Sequence, residues 1–361
     1  MHAIDWKTFG TLTNIPQNLM QCLAEISLQL QDNVPVEALL AEGKQAIEEQ
    51  NEKKAQAYIQ KECALVDASL QDLFPLIFMA YVLPESVKLF EQKKVSRQIL
   101  LDTFCDVGRW VAVYGRNHDR AYGCDRNRWL MHHFCAHLFQ LGRLQYEIQT
   151  FEFPYSLYWS TDKQDFVCLA EHGIPVNLEG HICGTNGITE EKYRTFRKED
   201  PTTIWANPID LAQGTLKQER ESFCKSSLKP LVVPHSPILA LHIPEGPSLT
   251  PSVVAESIEQ ARAFSKEQNT HFCGVICDSW LLDPNLAGFL PPEGNICQFM
   301  QRFLKFPTLH AQPQIFERVL GPLAPQNPGS TLKLRLEKYL GKGGKVYTTG
   351  GFLSGWYPSQ T

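Results

Sequence analysis

Potential metal ligands are concentrated in one short segment, which contains His132, His133, Cys135 and His137. Residues four apart share one face of a helix, so the imidazoles of His133 and His137 could reach one zinc ion. The glutamate that lies between the two histidines of helical metalloprotease motifs is missing, and no spacing elsewhere indicates further ligands. We therefore predict no metal site and interpret the segment as a helix whose histidines face a domain junction.

A glycine- and lysine-rich segment, residues 341–345, is a second motif with potential chemistry. It lacks the Gly-x-x-x-x-Gly-Lys-Ser/Thr spacing of a phosphate-binding P-loop, and it precedes a predicted strand instead of a helix. We interpret it as a flexible turn. The chain also has no Gly-x-Ser-x-Gly elbow and no Rossmann glycine pattern. The usual serine hydrolases and dinucleotide-binding enzymes are therefore excluded.

The spacing of apolar residues divides the chain near residue 142. Before this point apolar residues recur every three or four positions, as expected for amphipathic helices. Two such stripes are Leu100, Phe104, Val107, Val111 and Tyr114, and then Leu130, Phe134, Leu138 and Leu141. We predict helices throughout residues 1–141, with Gly142 ending the last one.

After Gly142 the period of the pattern changes to two. Residues 143–149 alternate between apolar and polar types, which predicts a strand with one wet face. Helices are predicted to begin at Pro251 and at Asn295, the latter with a stripe of Ile296, Phe299, Phe303 and Phe306. Residues 185–229 are expected to be rich in loops. Further strands are predicted at 166–169, 231–233, 238–243, 272–277 and 346–352.

Composition limits the partners of the protein. The 361 residues include 34 Lys+Arg and 39 Asp+Glu, which gives a formal net charge of -5. A chain without excess positive charge has no electrostatic basis for non-specific binding to nucleic acid or to a membrane surface. The longest uncharged apolar run, residues 73–83, is too short for a membrane span and predicts a buried helix.

The cysteine pattern and the start of the chain bear on localisation. No Cys-x-x-Cys pair occurs among the 11 cysteines, most of which have apolar neighbours, so we expect reduced thiols. The first residues lack the basic, apolar and small-residue succession of a signal peptide. We therefore expect a cytoplasmic protein.

Four blocks of the second half, residues 138–147, 241–249, 277–284 and 294–299, carry a resemblance to a known family. In order and spacing they resemble a bacterial family of acyltransferase-domain proteins. Its members join an all-helical N-terminal domain to a C-terminal domain like the GNAT N-acyltransferases. The resemblance implies a two-domain α+β fold. A helical domain would cover residues 1–141, and a GNAT-like α/β domain with a mixed central sheet would cover 142–361.

The GNAT resemblance also implies where a donor would bind. In that fold two neighbouring parallel strands separate at their C-terminal ends, and acyl-coenzyme A lies in the wedge between them. The next helix directs its N-terminus at the pyrophosphate. Here the implied strands are 238–243 and 272–277, and the implied phosphate loop is 244–250. The residues expected near the pyrophosphate are Gly246, Ser248, Leu249 and Thr250.

The implied phosphate loop departs from the superfamily pattern. Ile243 stands where Arg or Gln is usual, and of the two customary small residues only Gly246 remains a glycine. Pro244, Pro247 and Pro251 have no N–H to donate to a phosphate. The tyrosine that many superfamily members place after the second strand, to protonate the departing thiolate, is absent as well.

Four side chains near the implied wedge are candidates for acid–base chemistry. His242 could be a general base for the amine or a donor to phosphate, or its ring could order the adjacent loop. Asp278 could orient the amine and Ser279 could protonate a thiolate through water, although an Asp-Ser pair is also an ordinary helix cap. Glu147, on the wet face of its strand, is either a further base or a solvated carboxylate.

The resemblance therefore implies an acyl-CoA-dependent N-acyltransferase. It would move an acyl group from acyl-CoA or acetyl-CoA to an amine of an unidentified small molecule. The alternative is a GNAT-like small-molecule or partner-binding protein without acyltransferase activity, since a fold does not fix a function. Neither hypothesis involves nucleic acid or a membrane, and the oligomeric state stays open.

Overall fold

The computed structural model describes residues 4–31, 33–268, 270–321, 323–324 and 331–357. The chain divides into two compact units. The first unit extends to Glu147 and also includes Ile243–Gly246 and Ser257–Gln268, while the second comprises the remaining segments. The division of the chain into domains at 141/142 stays a prediction.

The described residues of the first unit form helices and one β-hairpin. The elements are α1 (Trp6–Thr13), α2 (Gln17–Gln29), α3 (Val34–Glu48), α4 (Glu52–Cys63), α5 (Phe74–Gln92), α6 (Arg97–Asn117), α7 (Asn127–Phe134), β1 (Leu138–Leu141) and β2 (Leu144–Thr150). The last residues of β2 lie in the second unit.

Local sequence signals explain where these helices begin. The Asp5 side chain accepts a hydrogen bond of 3.0 Å from the Thr8 N–H at the start of α1. Ser96 caps α6 in the same way, since its hydroxyl lies 3.3 Å from the Ile99 nitrogen. Each cap satisfies a donor that the first turn leaves without a partner. Most residues of α5 are buried, which confirms the buried helix predicted at 73–83.

Aromatic side chains join the elements of the first unit. The ring of Phe104 on α6 lies 5.0 Å from that of Phe134 on α7. Phe139 on β1 lies 5.3 Å from Phe90 on α5 and 4.7 Å from Phe264. The distances are ring-centroid separations typical of stabilising aromatic pairs. The hairpin is therefore packed into the helical core.

The strand at 138–141 contradicts the helix predicted to reach Gly142. Helix α7 ends at Phe134, and Ala136 has a positive φ of 52°, a conformation that does not continue a helix. Residues 138–141 instead pair antiparallel with β2, and Gly142, with φ of 64°, lies in the two-residue turn. All four β1 residues are buried, so the polar alternation that marks a strand is missing.

The strand predicted at 143–149 is confirmed, but the prediction that one of its faces is exposed to solvent is wrong. Gln145 is only 1% exposed and Glu147 only 4% exposed. The first four residues of β2 are buried on both faces. The buried Glu147 carboxylate lies 2.8 Å from His132 Nδ1 inside the protein, so alternation in the sequence did not report exposure.

The second unit contains a larger set of strands. They are β3 (Tyr155–Ser160), β4 (Asp165–Ala170), β5 (Pro175–Val176), β6 (Tyr193–Arg194), β7 (Arg197–Glu199), β8 (Thr203–Ala206), β9 (Ile209–Asp210), β10 (Thr215–Leu216), β11 (Glu221–Cys224), β12 (Leu228–Val232), β13 (Pro237–His242), β14 (Gly274–Ser279), β15 (Phe303–Pro307) and β16 (Thr349–Leu353). The remaining α-helices are α8 (Pro251–Glu267), α9 (Asn295–Met300) and α10 (Thr331–Leu340). Helix α8 begins in the second unit and continues into the first.

Strands β13, β14, β16 and β15 lie side by side in that order and form a mixed sheet. β13 and β14 are parallel, whereas β16 is antiparallel to both β14 and β15. β14 and β15 therefore run in the same direction and end at the same edge of the sheet. An apolar cluster that includes Tyr155, Ile238, Ile276 and Phe306 is buried in this unit. The expected α+β fold with a mixed sheet is confirmed.

Two expectations for the second half need correction. The helix that begins at Asn295 ends at Met300, and the later phenylalanines of its stripe belong to β15. These phenylalanines form a strand because they pair with β16. The spacing of apolar residues in one segment gives no information about such a neighbouring strand. Residues 185–229, expected to be loop-rich, also carry β6 to β11. Among the described helices, none combines the length and apolar character needed to cross a bilayer.

Candidate active site

Strands β13 and β14 separate at their C-terminal ends. Their pairing covers Ile238 with Gly274, Leu239 with Val275 and Ala240 with Ile276. Both strands continue beyond these pairs, β13 to His242 and β14 to Ser279. In the described residues of the second unit, the ladder between them thus ends before the strands do. The unpaired strand ends lie where the sequence resemblance implies a wedge.

Asp278 lies at the open end of the wedge, on the same strand face as Ile276. Continuing the register places His242 opposite Asp278 at this level, and register partners in a parallel pair share a face. His242 is half-buried. The two residues selected from the sequence are therefore brought to one end of the same strand pair.

Asp278 is held by a hydroxyl group from the end of β15. Thr308 Oγ1 lies 2.8 and 2.9 Å from the two carboxylate oxygens of Asp278 and donates its proton to them. The same Thr308 oxygen accepts the backbone N–H of His310 at 3.0 Å. Burial raises the pKa of Asp278, opposed by the charge of His310 and the Thr308 hydrogen bond. The group thus retains protons more readily than an exposed aspartate.

His310 is the functional candidate that the sequence analysis missed. Its Nε2 lies 3.5 Å from Asp278 Oδ2, and its side chain is 45% exposed. Gln314 Oε1 accepts the Trp280 N–H at 3.2 Å, which orients the Gln314 amide group toward His310 Nε2 at 2.9 Å. Because an amide N–H₂ group only donates, His310 Nε2 is the acceptor in this contact and directs its lone pair at Gln314.

A sequence signal for His310 existed, but it depended on β15. Thr308 and His310 follow the end of residues 303–307. If that segment had been predicted as a strand parallel to β14, both residues would have been expected near Asp278. The C-terminal ends of parallel strands meet at one sheet edge, which is where ligands bind in open α/β sheets. The aromatic spacing that favoured a helix concealed this relation.

Ser279 has a local role at the end of β14. Its hydroxyl accepts a hydrogen bond of 3.2 Å from the Leu281 N–H, at the start of the 3₁₀ turn Trp280–Leu282. The side chain is 9% exposed. This is the capping geometry that was the alternative to a role in proton transfer.

The implied phosphate loop follows β13. Its residues Ile243–Gly246 belong to the first unit, and the following residues belong to the second. The Thr250 N–H donates to the Ser248 carbonyl at 2.9 Å, and Leu249 is 8% exposed. Helix α8 then begins at Pro251, as predicted. The sequence-selected loop therefore lies directly before a helix N-terminus, an arrangement that favours bound anions.

Glu147 belongs to a charged cluster of the first unit. His132 Nδ1 lies 2.8 Å from Glu147 Oε1 and 3.1 Å from Glu52 Oε1. His137 Nδ1 lies 2.5 Å from Glu52 Oε1. Although burial opposes its charge, the two carboxylates raise the pKa of His132 to about 9. One ligand atom each from Glu52, His132 and Glu147 lies within 4.8 Å of the others, so a cation could replace the His132 proton here.

His133 does not join this cluster, although the sequence pairs it with His137. Its Nε2 lies 3.1 Å from the carboxylate of Asp106. Arg109, Trp110 and Trp129 also donate to Asp106, at 2.7, 3.1 and 3.0 Å. Burial alone would raise the pKa of Asp106, but the hydrogen bond and charge of His133, with help from Arg109, hold it well below its usual range. His133 therefore supports a buried carboxylate.

A cavity of about 380 Å³ lies in the second unit. Its lining includes Asp283, whose carboxylate accepts the N–H groups of Asn285 at 3.0 Å and Tyr347 at 2.7 Å. Burial raises the pKa of Asp283 to about 7 against these hydrogen bonds. Gly343 and Lys345 also line the cavity, and Gly343, with φ of 84°, lies in the turn predicted for this segment.

Comparisons with solved structures show the same fold. An acyltransferase in complex with decanoyl-CoA is 17% identical, with a TM-score of 0.59, covering 96% of this chain and 86% of that one. A mutant acyltransferase in complex with octanoyl-CoA is 15% identical, with a TM-score of 0.60 and coverages of 97% and 87%. An acyltransferase in complex with decanoyl-CoA and teicoplanin is 16% identical, with the same TM-score and coverages. No curated protein matches the chain.

Family comparisons cover most of the sequence. Residues 9–136 match the N-acyltransferase N-terminal domain, and residues 138–353 match the GNAT-like C-terminal domain. The second match alone spans more than half of the 361 residues. The chain therefore belongs to the N-acyltransferase family that combines these two domains.

Proposed function

We propose that the protein is an N-acyltransferase that moves an acyl group from acyl-CoA or acetyl-CoA to an amine of a small molecule. The observation that carries this proposal is the separation of β13 and β14 beside Asp278, Thr308 and His310. Acyl-CoA in three acyltransferases of the same fold supports the donor, and teicoplanin in one of them supports a small-molecule acceptor.

In this proposal the donor lies in the wedge with its pyrophosphate near Gly246, Ser248, Leu249 and Thr250. The start of α8 at Pro251 supports this placement, since a helix N-terminus favours an anion. We place the oxyanion that forms at the thioester carbonyl beside the end of β13, beyond its last pair with β14, where backbone N–H groups would be its donors.

The acceptor amine must lose a proton to attack the thioester. His310 can take it at Nε2 when the amine displaces the Gln314 N–H from that atom, and the nearby Asp278 carboxylate can stabilise the imidazolium. The C–S bond then breaks, an amide forms, and the thiolate leaves with a proton from His310 or from water. His242 and Glu147 stay candidate bases, and Ser279 stays a candidate thiolate donor.

We also propose that the protein is bacterial and cytoplasmic and has no nucleic-acid or membrane partner. All 11 cysteines are free thiols, as is usual in a reducing compartment. The net charge of -5 supports the exclusion of nucleic acid. The proposed domains are 1–141 and 142–361.

The test begins with donor binding. Acetyl-, octanoyl- and decanoyl-CoA are titrated while the melting temperature is measured, because a ligand at 100 times its dissociation constant adds about 2.7 kcal/mol of stability. A rise in melting temperature is expected. No shift with any donor would contradict the proposal and favour a binding protein without acyltransferase activity.

The second step tests the residues. Thiol release from acyl-CoA is measured with a panel of amines, and His310→Gln and Asp278→Asn are expected to reduce turnover about 100- to 10,000-fold with donor affinity nearly unchanged. His235→Gln is the matched control, since its side chain is 78% exposed. Full turnover in both site variants would remove this pair and leave His242 or Glu147 as the base. His242→Ala would then distinguish two roles. If His242 is the base, the substitution lowers turnover; if its ring orders the loop, the substitution weakens donor binding and lowers stability.

A further inference from the structure

The charged cluster around His132 brings together three potential metal ligands from three different elements of the first unit. Glu52 is the first residue of α4, His132 lies on α7, and Glu147 lies on β2. All three residues belong to the first unit. One ligand atom from each of them lies within 4.8 Å of the other two. The fold therefore gathers one imidazole and two carboxylates around a single point.

The spacing of these ligand atoms suits a zinc ion. His132 Nδ1 lies 2.8 Å from Glu147 Oε1 and 3.1 Å from Glu52 Oε1. Zinc binds nitrogen and oxygen ligands at about 2.0–2.1 Å, and a tetrahedral arrangement then keeps the ligand atoms about 3.3 Å apart. The two contacts to His132 would lengthen by about half an ångström or less when an ion enters between the atoms. Side-chain movements are enough for such a change.

The direction of His132 Nδ1 also suits a metal ion. This nitrogen is buried, and both of its carboxylate contacts are bent, because neither oxygen lies along the N–H direction. A neutral imidazole points the lone pair of its ring nitrogen at a bound metal. The other ligands of that metal then lie to the side of this direction, as Glu52 Oε1 and Glu147 Oε1 do. A cation can bind all three atoms at once, whereas one N–H bond can point at only one partner.

The surroundings of the cluster support the same conclusion. His137 Nδ1 lies 2.5 Å from Glu52 Oε1. Hydrogen bonds of this kind orient the carboxylates that bind metals. The side chains of His132 and Glu52 are 22% and 18% exposed, whereas that of Glu147 is 5% exposed. An ion can therefore enter from the side of His132 and Glu52, and water can complete its coordination.

We propose that Glu52, His132 and Glu147 form a binding site for a divalent transition-metal ion, with zinc as the best match, that holds α4, α7 and β2 together. In the metal-free protein the proton of His132 takes the place of the ion. An imidazole among the ligands favours zinc over magnesium and calcium, which prefer oxygen ligands. The proposal is independent of acyl transfer, except that Glu147 cannot act as a base while it binds a metal.

The sequence did not predict this site because helical spacing pairs His133 with His137. Only His132 of the proposed ligands belongs to that segment, and both carboxylates come from other elements. The absence of further ligands in the local spacing was therefore not evidence against a metal.

The test measures zinc binding to the full chain after a chelator has stripped the protein of metal and has itself been removed. Calorimetry is expected to show one tightly bound zinc ion per chain. Zinc should also raise the melting temperature, because it binds the folded protein. Glu52→Gln and His132→Gln each remove a ligand and should weaken zinc binding by more than about 100-fold, whereas His137→Gln removes an outer contact and should weaken it about 10- to 100-fold.

A control variant and a spectroscopic probe distinguish this site from zinc bound to surface histidines. His235 Nδ1 lies 3.6 Å from Glu152 Oε1, and the His235 side chain is 78% exposed. His235→Gln removes an imidazole beside a carboxylate outside the cluster, so zinc affinity should not change. Co²⁺ in place of zinc should give the visible absorption of a site with few ligands, and His132→Gln should abolish it. If His132→Gln does not fold, Glu52→Gln and His137→Gln decide the question.

Three results would overturn the proposal. A wild-type protein that binds neither zinc nor cobalt would show that the cluster is an ion-pair network only. Equal zinc affinity in the wild type, Glu52→Gln and His132→Gln would place the bound zinc elsewhere on the chain. Magnesium or calcium bound as tightly as zinc would mean that the His132 imidazole is not a ligand. None of these results depends on donor binding or thiol release, so the proposed function is tested separately.

Discussion

Replacing His132 by glutamine is expected to remove a pH-dependent part of the protein's stability. His132 lies between Glu147 and Glu52, with contacts of 2.8 and 3.1 Å. Burial lowers the pKa of His132, but hydrogen bonds to the two carboxylates outweigh it and raise the value to about 9. Burial likewise opposes the charge of Glu52, whose hydrogen bonds from His132 and His137 lower its pKa to about 2.

The expected magnitude comes from these values. The pKa of His132 moves from 6.5 to about 9 on folding. At about 1.4 kcal/mol for each tenfold change in proton affinity, this corresponds to about 3 kcal/mol. The stabilisation is fully present below pH 6.5 and is lost as the pH rises through 9. The lowered pKa of Glu52 corresponds to stabilisation that is present above pH 4.5 and is lost as the pH falls toward 2. Because Glu52 and His132 report the same interaction, its free energy is not added to that of His132.

The measurement is urea unfolding of the wild type and His132→Gln between about pH 6 and pH 9.5, followed by circular dichroism. The wild type should lose about 3 kcal/mol more stability over this range than His132→Gln, which should already be the less stable of the two at pH 6. His235→Gln, with a side chain that is 78% exposed, is the control and should keep the wild-type slope. An unchanged alkaline slope in His132→Gln would refute the reasoning.

Two further predictions concern stability. Asp106→Asn should lower the free energy of unfolding by about 3 kcal/mol or more, because it removes the charge that pairs with Arg109 and the buried His133. The measurement is the denaturant midpoint, compared with that of Asp102→Asn, a substitution at a half-buried position on the same helix. An equal effect of both substitutions would contradict it. Gly350→Ala should cost about 1 to 3 kcal/mol, because its Cβ would lie 2.1 Å from the Phe306 ring. Gly355→Ala is the control, because the added Cβ would meet open space there. If Gly350→Ala lowers the stability no more than this control does, the Phe306 ring moves aside and the prediction is contradicted.

Much of the fold could be predicted because its signals are local. The apolar run at 73–83 predicted the buried helix α5, and the Thr-Pro pair before residue 252 predicted the start of α8. Runs that are apolar on both faces predicted β13 and β14. Caps, prolines and apolar periods act within one or two turns, so the chain itself contains the information.

The sequence by itself determined the two-part organisation, the order of the elements and two residues at the wedge, His242 and Asp278. It could not decide residues 138–141 and 303–307, whose apolar spacing suits a helix and a strand equally. Pairing with β2 and with β16 decided both in favour of strands. His310 reaches Asp278, and His132 reaches Glu52, only after distant segments meet. Contacts of this kind depend on which strands become neighbours, and the local spacing of apolar residues does not determine which strands pair.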